Sequence, residues 1–158
     1  MDNGDLTPGS HVEIIPATWR DLTALQRLEK ACFTEDSWPI WDLLGVLSLP
    51  NVVRLKAVVD KQLVGFIAGD ERNSSNLTWI VTLGVLPPYR RMGIGRALLA
   101  ECESRISLPA IRLTVRRSNE AALRLYQEFG YQQIGVWANY YIGKEDALVL
   151  EKKQAGTG

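Results

Sequence analysis

A glycine-containing turn between an apolar run and an amphipathic segment is the feature that most constrains how this chain can fold. The turn comprises residues 90–96, Arg-Arg-Met-Gly-Ile-Gly-Arg, and follows the apolar run 77–86, which Pro87 and Pro88 terminate. Glycines allow a backbone turn to approach a ligand closely, and the first N–H groups of a helix lack partners within the helix and attract anions. The pattern therefore predicts a strand, an anion-binding turn and a helix in direct succession.

The charge around this turn supports an anionic ligand. The chain has 158 residues with 18 Lys plus Arg and 18 Asp plus Glu, so it carries no net charge. Residues 90–117 nevertheless contain seven Arg and two Glu, a local net charge of +5. A small polyanion fits this asymmetry. A nucleic-acid partner is not expected, because the whole chain is neutral and aromatic residues are not interleaved with these arginines.

Two common phosphate-binding motifs do not fit the turn. A dinucleotide-binding fingerprint requires a third glycine at position 98, where Leu98 stands, and a P-loop requires Gly-Lys-Ser/Thr, which the turn lacks. A bare Gly-x-Gly also occurs in ordinary surface turns before solvated helices. The elements around the turn are therefore needed to interpret it.

The hydrophobic pattern predicts the element order β-α-α-β-β-β-α-β-α-β-β. Thr18 and Asp21 form a capping-box pattern before the first helix, and Ser118 or Asn119 caps the last one. The predicted elements are strands at 12–16, 52–59, 63–68, 77–86, 111–115, 131–137 and 147–150, and helices at 22–32, 41–47, 94–106 and 120–129. The predicted fold class is α/β (an α+β mixed sheet), with one sheet.

Composition and cysteine usage limit the setting of the protein. We expect one domain over residues 12–152, with flexible termini at 1–11 and 153–158. Cys32 and Cys102 lie in helical patterns and are predicted to be reduced thiols, so we expect no metal. No apolar run approaches the roughly 18 residues of a membrane span, and no signal pattern is recognisable. A cytoplasmic protein without a membrane partner is expected.

The strand, the turn and the downstream residues together resemble the GNAT N-acetyltransferase superfamily. The pyrophosphate-binding motif of that family, Gln/Arg-x-x-Gly-x-Gly/Ala, is matched by Arg90, Gly93 and Gly95. The resemblance extends over roughly residues 12–152. The stretches 113–116, 118–119, 125–126 and 139–141 are similar to the RimI-like branch, which acetylates protein N-termini.

The resemblance implies a GNAT fold and acetyl-CoA as cofactor, without a metal. The sheet would be mostly antiparallel, with a splayed parallel pair formed by the fourth and fifth strands and helices on both sides. Acetyl-CoA would bind at that pair. The backbone of Leu83 and Val85 would pair with pantetheine, Asn119 and Tyr126 would reach toward pantetheine and the sulfur, and the pyrophosphate would lie on Arg90, Arg91, Met92, Gly93, Ile94, Gly95 and Arg96. Asn119 is also a helix-capping candidate, and both roles are compatible.

Acetyl transfer by direct attack requires a neutral amine, donors for the oxyanion and a proton for the departing thiolate. By resemblance, Tyr126 protonates the thiolate, although it also belongs to a core-facing helix stripe. A backbone N–H near Leu83 to Val85 is the expected oxyanion donor. The general base departs from the family pattern, since Thr114 and Trp79 stand where relatives carry Glu, His or Tyr. We expect a water held by Thr114, by Tyr140 or by backbone carbonyls to relay the proton.

Aromatic residues in two loops are the candidates for acceptor binding. The resemblance places Phe33 after the first helix and Tyr140 and Tyr141 between the last two strands, around the acceptor groove. These side chains favour an extended protein N-terminus as acceptor. A small amine such as a polyamine or aminoglycoside, or a non-catalytic acetyl-CoA-binding module, are the alternatives. Trp38, Trp41 and Trp137 are assigned to the core by default.

Overall fold

The computed structural model describes residues 11–33 and 39–154, and the element order within them is the predicted one. The strands are β1 Glu13–Pro16, β2 Val52–Val59, β3 Gln62–Arg72, β4 Leu77–Val85, β5 Ala110–Arg116, β6 Gln132–Trp137 and β7 Ala147–Lys153. The helices are α1 Leu22–Cys32, α2 Ile40–Ser48, α3 Ile94–Arg105 and α4 Glu120–Glu128. The mixed α/β class is confirmed. Trp38 and the terminal residues 1–10 and 155–158 lie outside the described residues, and the domain limits stay a prediction.

The strands of the described segments form one seven-stranded sheet in the order β1-β2-β3-β4-β5-β7-β6. Antiparallel pairing joins β1 to β2, β5 to β7 and β6 to β7. A parallel register joins Leu77–Trp79 of β4 to Ala110–Arg112 of β5, which confirms the predicted parallel pair. The pairing of β5 with β7 runs along the whole of β5, from Ala110↔Lys153 to Arg116↔Ala147.

The chain divides into two compact units, and β4 passes from one to the other. Unit 1 comprises Met1–Gly69 and Thr82–Ile106, and unit 2 comprises Asp70–Val81 and Ser107–Gly158. The glycine-containing turn belongs to unit 1. The tyrosines of the β6–β7 loop belong to unit 2.

Unit 1 packs α3 closely against β3. The predicted apolar face of the helix is buried, with Ile94, Leu98 and Cys102 at most 2% exposed. Gly65 permits the close approach, since a Cβ there would lie 2.9 Å from Leu98 Cδ1 and 3.2 Å from Ile94 Cγ2. Neither Cys32 nor Cys102 is part of a disulfide bond; Cys102 is buried, whereas Cys32 is only half-buried.

The start of α1 follows the predicted capping box. The Thr18 N–H donates to Asp21 Oδ2 over 2.8 Å, and the Thr18 hydroxyl accepts from the Arg20 N–H over 3.3 Å. This box closes a short 3₁₀ turn, Trp19–Asp21, from which α1 continues. Two orphan donors at the helix start are thereby satisfied locally.

Two tryptophans assigned to the core are instead exposed, and those predictions were wrong. Trp41 is 77% exposed because α2 buries a different face, formed by Leu43, Val46 and Leu47. Trp137 is 42% exposed at the end of β6, a strand whose residues are mostly exposed.

Unit 2 builds its core from the alternating residues of β5 and the buried first half of β7. Ile111, Leu113 and Val115 are at most 5% exposed, as predicted from their alternation. On α4 only Tyr126 is buried, so the predicted apolar stripe of this helix is narrower than expected. In the described parts of the chain, no helix combines the length and apolar character needed to cross a membrane.

Candidate active site

The glycine-containing turn of unit 1 ends in an open helix start. Gly93 is the N-cap of α3 with φ 79°, and Arg91 before it has φ 64°. A Cβ on Gly93 would meet nothing within 4 Å, so its backbone conformation, and not lack of space, requires glycine. Because glycine has no side chain, no N-cap oxygen occupies the first N–H groups of α3. The helix start can therefore accept an anion.

The three arginines of the turn are exposed, and one of them also forms a hydrogen bond to β4. Arg90, Arg91 and Arg96 are exposed, which leaves charged groups at the surface around the helix start. Arg90 also has a structural bond, since its Nε donates to the carbonyl oxygen of Val85 over 3.0 Å. Ile94 is 2% exposed, so its predicted contact with a ligand is restricted to its backbone.

The end of β4 lies directly against the end of α1. A Cβ on Gly84 would lie 3.2 Å from both Cys32 Sγ and Leu28 Cδ2, and 3.3 Å from Phe33 Cε2. The Cys32 thiol lies 3.3 Å from the Val85 carbonyl oxygen, which it shares with Arg90. Burial raises the pKa of Cys32, and Arg90 opposes this shift. The backbone of Leu83 to Val85, predicted to bind the cofactor, is thus held by α1.

A buried carboxyl group stands beneath this strand segment. Glu29 of α1 is 1% exposed, and its Oε1 accepts from the Thr82 hydroxyl over 2.9 Å. Its Oε2 is buried without a hydrogen-bond partner among the described residues. Burial raises the pKa of Glu29, while the bond from Thr82 lowers it. Glu29 was not predicted from the sequence as a site residue, although it follows Leu25 by four positions on the buried helix face.

In unit 2, Thr114 and Tyr141 are joined directly. The Tyr141 hydroxyl donates to Thr114 Oγ1 over 3.2 Å, and this bond is partly buried. The Arg116 guanidinium lies 4.7 Å from the centroid of the Tyr141 ring, and Tyr140 meets that ring edge-on at 5.0 Å. The sequence placed these residues in one site without indicating that they touch.

Tyr126 lies in the core of unit 2. It is 6% exposed and packs edge-to-face on Tyr131 at 5.5 Å. Burial raises the pKa of Tyr126 well above its ordinary range, and the neighbouring Tyr141 raises it further. The phenol therefore keeps its proton at neutral pH. Asn119 is exposed and caps α4, accepting the Ala122 N–H at Oδ1 over 3.2 Å, which confirms its capping role.

Two acidic residues that the sequence analysis missed tie the β6–β7 loop to the β5–α4 junction. Glu145 accepts from both the backbone N–H and the hydroxyl of Ser118 and lies 3.6 Å from Arg116. These hydrogen bonds lower the pKa of Glu145. Asp146 accepts the Asn139 N–H over 3.0 Å and pairs with Arg117 at 3.5 Å.

The predicted site residues thus fall into two groups. Unit 1 holds Phe33, Leu83, Val85 and the turn 90–96, whereas unit 2 holds Thr114, Asn119, Tyr126, Tyr140 and Tyr141. Across residues 11–33 and 39–154, no three His, Cys, Asp or Glu side chains are grouped as metal ligands.

Comparisons with known proteins identify the family. The model of the acetyltransferase (GNAT) family matches residues 18–131. The N-terminal acetyltransferase A complex catalytic subunit NAA10 of Arabidopsis thaliana is 32% identical over 89% of this chain and 77% of its own length. The N-alpha-acetyltransferase RimI of Mycobacterium tuberculosis is 32% identical over 89% of this chain and 92% of its own.

A solved structure agrees with these relatives. Arabidopsis thaliana Naa50, in complex with the bisubstrate analogue CoA-Ac-MVNAL, has a TM-score of 0.78 and 28% identity, covering 89% of this chain and 97% of that one. Since the family model spans most of the chain and two relatives exceed 30% identity over nearly all of it, this chain belongs to the GNAT acetyltransferase family and is an N-acetyltransferase.

Proposed function

We propose that this protein transfers the acetyl group of acetyl-CoA to the α-amino group of a protein N-terminus. The observation that carries the proposal is its similarity, over nearly nine tenths of the chain, to proteins named as N-terminal acetyltransferases. The 28% identical Naa50 was solved with an analogue that joins CoA to a peptide N-terminus. The tyrosine-rich loop of unit 2 supports a peptide acceptor, because phenols present both apolar area and a hydrogen-bonding tip.

Acetyl-CoA is the proposed donor, and the open start of α3 is its proposed pyrophosphate site. The backbone N–H groups of residues 91–96 would bind the phosphate oxygens, with Arg90, Arg91 and Arg96 supplying positive charge. The backbone of Leu83 and Val85 would pair with pantetheine. Asn119 is proposed to bind the same arm. The close packing of α1 on Gly84 supports pantetheine binding at Leu83 and Val85, because a preorganised strand edge loses little entropy on binding.

Tyr126 is the proposed proton donor to the CoA thiolate. When the neutral amine nitrogen attacks the thioester carbon, the carbon–sulfur bond breaks, the sulfur leaves as a thiolate, and the proton lost by the nitrogen passes to water. A thiol has a reference pKa of about 8.5, so a thiolate accepts a proton from a nearby phenol only if the phenol is still protonated. A phenol of ordinary pKa, about 10, is already protonated at neutral pH, and the raised pKa of Tyr126 makes it a weaker acid, so the proposed proton transfer requires Tyr126 to lie close to the sulfur.

The lack of a carboxylate or histidine at position 114 favours an α-amine acceptor. An α-amine has a reference pKa of about 7.7 to 8.0, whereas that of a lysine side chain is about 10.4. A substantial fraction of N-termini is therefore neutral at pH 7 to 8 without a strong base. A water relay at Thr114 stays a prediction.

Phe33, Tyr140 and Tyr141 are the proposed acceptor contacts. Phe33 is held beside Gly84 at the end of α1, which supports a role in bounding the pocket for the first residue. Tyr140 is 54% exposed, so its ring is accessible to a peptide. A cytoplasmic location and the lack of nucleic-acid and membrane partners stay predictions.

Mass spectrometry of the acetylated products tests the proposal. Acetyl-CoA is mixed with free-amine peptides that begin Ala, Ser, Met-Leu and Met-Lys, with matched N-blocked peptides that contain an internal Lys, and with polyamines and aminoglycosides. Acetate on the α-amine alone is expected. Modification confined to the small amines would replace the proposal with metabolite acetylation. Acetyl-CoA binding without any transfer would indicate a non-catalytic module.

A further inference from the structure

The β6–β7 loop, residues 138–146, is anchored to β5 and the start of α4, and we call it the acceptor loop. Arg116 Nη2 donates to the carbonyl oxygen of Ile142 over 3.1 Å, and Ser118 donates to Glu145 from both its backbone and its hydroxyl. Within the loop, the Tyr141 N–H donates to the Glu145 carbonyl oxygen over 3.1 Å. The loop is therefore held at several points along its length.

The hydrogen bond from Tyr141 to Thr114 anchors the loop through an aromatic side chain. The other hydrogen bonds named above involve the loop's backbone or its carboxylates, whereas this one involves the tip of the Tyr141 ring. Arg116 lies over the ring and Tyr140 lies at its edge. The Tyr141 side chain is thus contacted at its tip by Thr114, on its face by Arg116 and at its edge by Tyr140. Of these three contacts, the hydrogen bond to Thr114 is the one that sets the direction of the Tyr141 hydroxyl.

The chemistry of Thr114 matches this anchoring role better than proton transfer. A threonine hydroxyl is neutral at every relevant pH and offers one donor and two acceptor positions. One acceptor position is occupied by the Tyr141 hydroxyl. The methyl group of threonine stiffens its χ1 torsion, which fixes the direction of the accepting oxygen.

We propose that Thr114 is a positioning residue that acts through Tyr141, holding the Tyr141 phenol in the orientation that binds the acceptor peptide. This inference rests on the proposed function, because it assumes that Tyr141 contacts the peptide. It is the alternative to the proton-relay role expected for Thr114 from the sequence. The relevant consequence is that Thr114 governs peptide binding and has no titration of its own.

Steady-state kinetics test the proposal with a peptide that the wild type acetylates. Three single variants are compared first, and Tyr141→Phe and the double variant follow. Thr114→Val removes the acceptor at nearly constant shape, and is expected to raise the peptide KM by about 3- to 10-fold, the range expected for one hydrogen bond. The KM for acetyl-CoA, the kcat at saturating peptide and the pH profile of kcat should stay unchanged. Thr114→Ser retains the hydroxyl and should restore most of the affinity. Thr23→Val, the same change at an exposed position of α1, is the control.

The pair Thr114→Val and Tyr141→Phe provides a double-mutant cycle. Both substitutions remove the same bond, so Thr114→Val should have no further effect on the peptide KM once Tyr141 is Phe. Should Thr114→Val unfold the protein, the Thr114→Ser and Tyr141→Phe measurements still decide the outcome, since the former should resemble the wild type and the latter should raise the peptide KM.

Three results would overturn the proposal. Additive effects in the cycle would show that the two residues act independently, and an unchanged peptide KM in Tyr141→Phe would remove the phenol from peptide binding. A lower kcat with a displaced pH profile in Thr114→Val would assign the proton relay instead. If the wild type acetylates no α-amine at all, the proposed function is wrong, and this inference is then wrong as well. An active wild type with any of the three results rejects the inference alone.

Discussion

At the scale of single residues, burial shifts the pKa of two titratable side chains, Glu29 and Tyr126. Glu29 and Tyr126 both lie in apolar surroundings that favour their neutral forms. For Tyr126 the raised pKa opposes proton donation, so the proposed transfer to the thiolate depends on close approach of the phenol to the sulfur. For Glu29 it imposes a cost on the folded state whenever the carboxyl group ionises.

The Glu29→Gln variant should be stabilised relative to the wild type as the pH rises. The folded pKa of Glu29 lies above its ordinary value of 4.5, so the wild type is fully stabilised below that value and loses stability as the pH rises through the raised pKa. Glutamine keeps an oxygen for the Thr82 hydroxyl and does not ionise. Urea unfolding midpoints at pH 5 and pH 8 measure the difference. Glu13→Gln, at an exposed position of β1, is the control, and parallel pH curves for the wild type and Glu29→Gln would contradict the prediction.

The Tyr126→Phe variant should lose roughly 100-fold or more in kcat, the lower range of general acid catalysis. The ring and its packing are retained, so affinity for acetyl-CoA should change little. Tyr131→Phe is the matched control, because this ring packs on Tyr126 and has no assigned role in the transfer. Equal losses of kcat in both variants would indicate that only packing was disturbed. Single-turnover rates with a saturating peptide make the comparison.

At the scale of elements, the contact of α1 with β4 sets the strand edge that the cofactor is proposed to use. Gly84 lies against Leu28, Cys32 and Phe33, and Val85 accepts from Cys32 and Arg90. The helix therefore restrains both the position and the carbonyl direction of the strand. Periodicity predicted each element, but such a contact depends on the distance between them.

The Gly84→Ala variant should be destabilised by about 1 to 3 kcal/mol, the usual cost of overpacking. Its new methyl group would lie 3.2 Å from two atoms of α1. Gly135→Ala on β6 is the control, since its nearest neighbour would be Val149 Cβ at 4.0 Å. Thermal or urea unfolding compares the two variants. A loss of stability no larger than that of Gly135→Ala would show that α1 yields to the added group.

The Gly93→Ala variant should weaken acetyl-CoA binding through backbone strain alone. Gly93 has φ 79° and open space around its Cβ position, and an L-residue there costs roughly 1 to 2 kcal/mol. Gly130→Ala, at φ 92° with equal space, should lose similar stability without affecting the ligand. Calorimetric titration with acetyl-CoA and unfolding midpoints separate the two effects. Equal affinities for acetyl-CoA in both variants would remove the turn from the cofactor site.

At the scale of the whole molecule, the net charge is zero although one segment, residues 90–117, is strongly basic. The chain carries no net charge, while residues 90–117 carry seven Arg and two Glu. The neutral total provides no long-range attraction for nucleic acids, whereas the segment attracts a small polyanion at short range. Electrostatic attraction in this protein is therefore local.

Acetyl-CoA binding should weaken as salt rises, because exposed arginines contribute to it. The Debye length falls from about 10 Å at 0.1 M to about 3 Å at 1 M, which screens exposed charges. Arg91→Gln should reduce the salt dependence, and Arg20→Gln, an exposed arginine outside the segment, should leave it unchanged. Affinity measured by titration over this salt range provides the check. A Kd independent of salt would restrict the binding energy to uncharged contacts.

The sequence by itself determined the elements, the family and the turn. Alternation, helical spacing and the Thr18–Asp21 cap depend on neighbours within a few residues, so the order of strands and helices was predictable. The Arg90-x-x-Gly93-x-Gly95 turn was predictable for the same reason, because glycine conformations and a helix start depend only on nearby residues.

Only the tertiary structure decided which side chains meet and which faces are buried. Trp41 is exposed because α2 turns another face inward, and Glu29 is buried because α1 lies on β4. The bond between Thr114 and Tyr141 joins positions 27 residues apart, for which no spacing rule exists. These outcomes depend on long-range packing, since burial and hydrogen-bond partners are properties of the folded arrangement and not of any one segment.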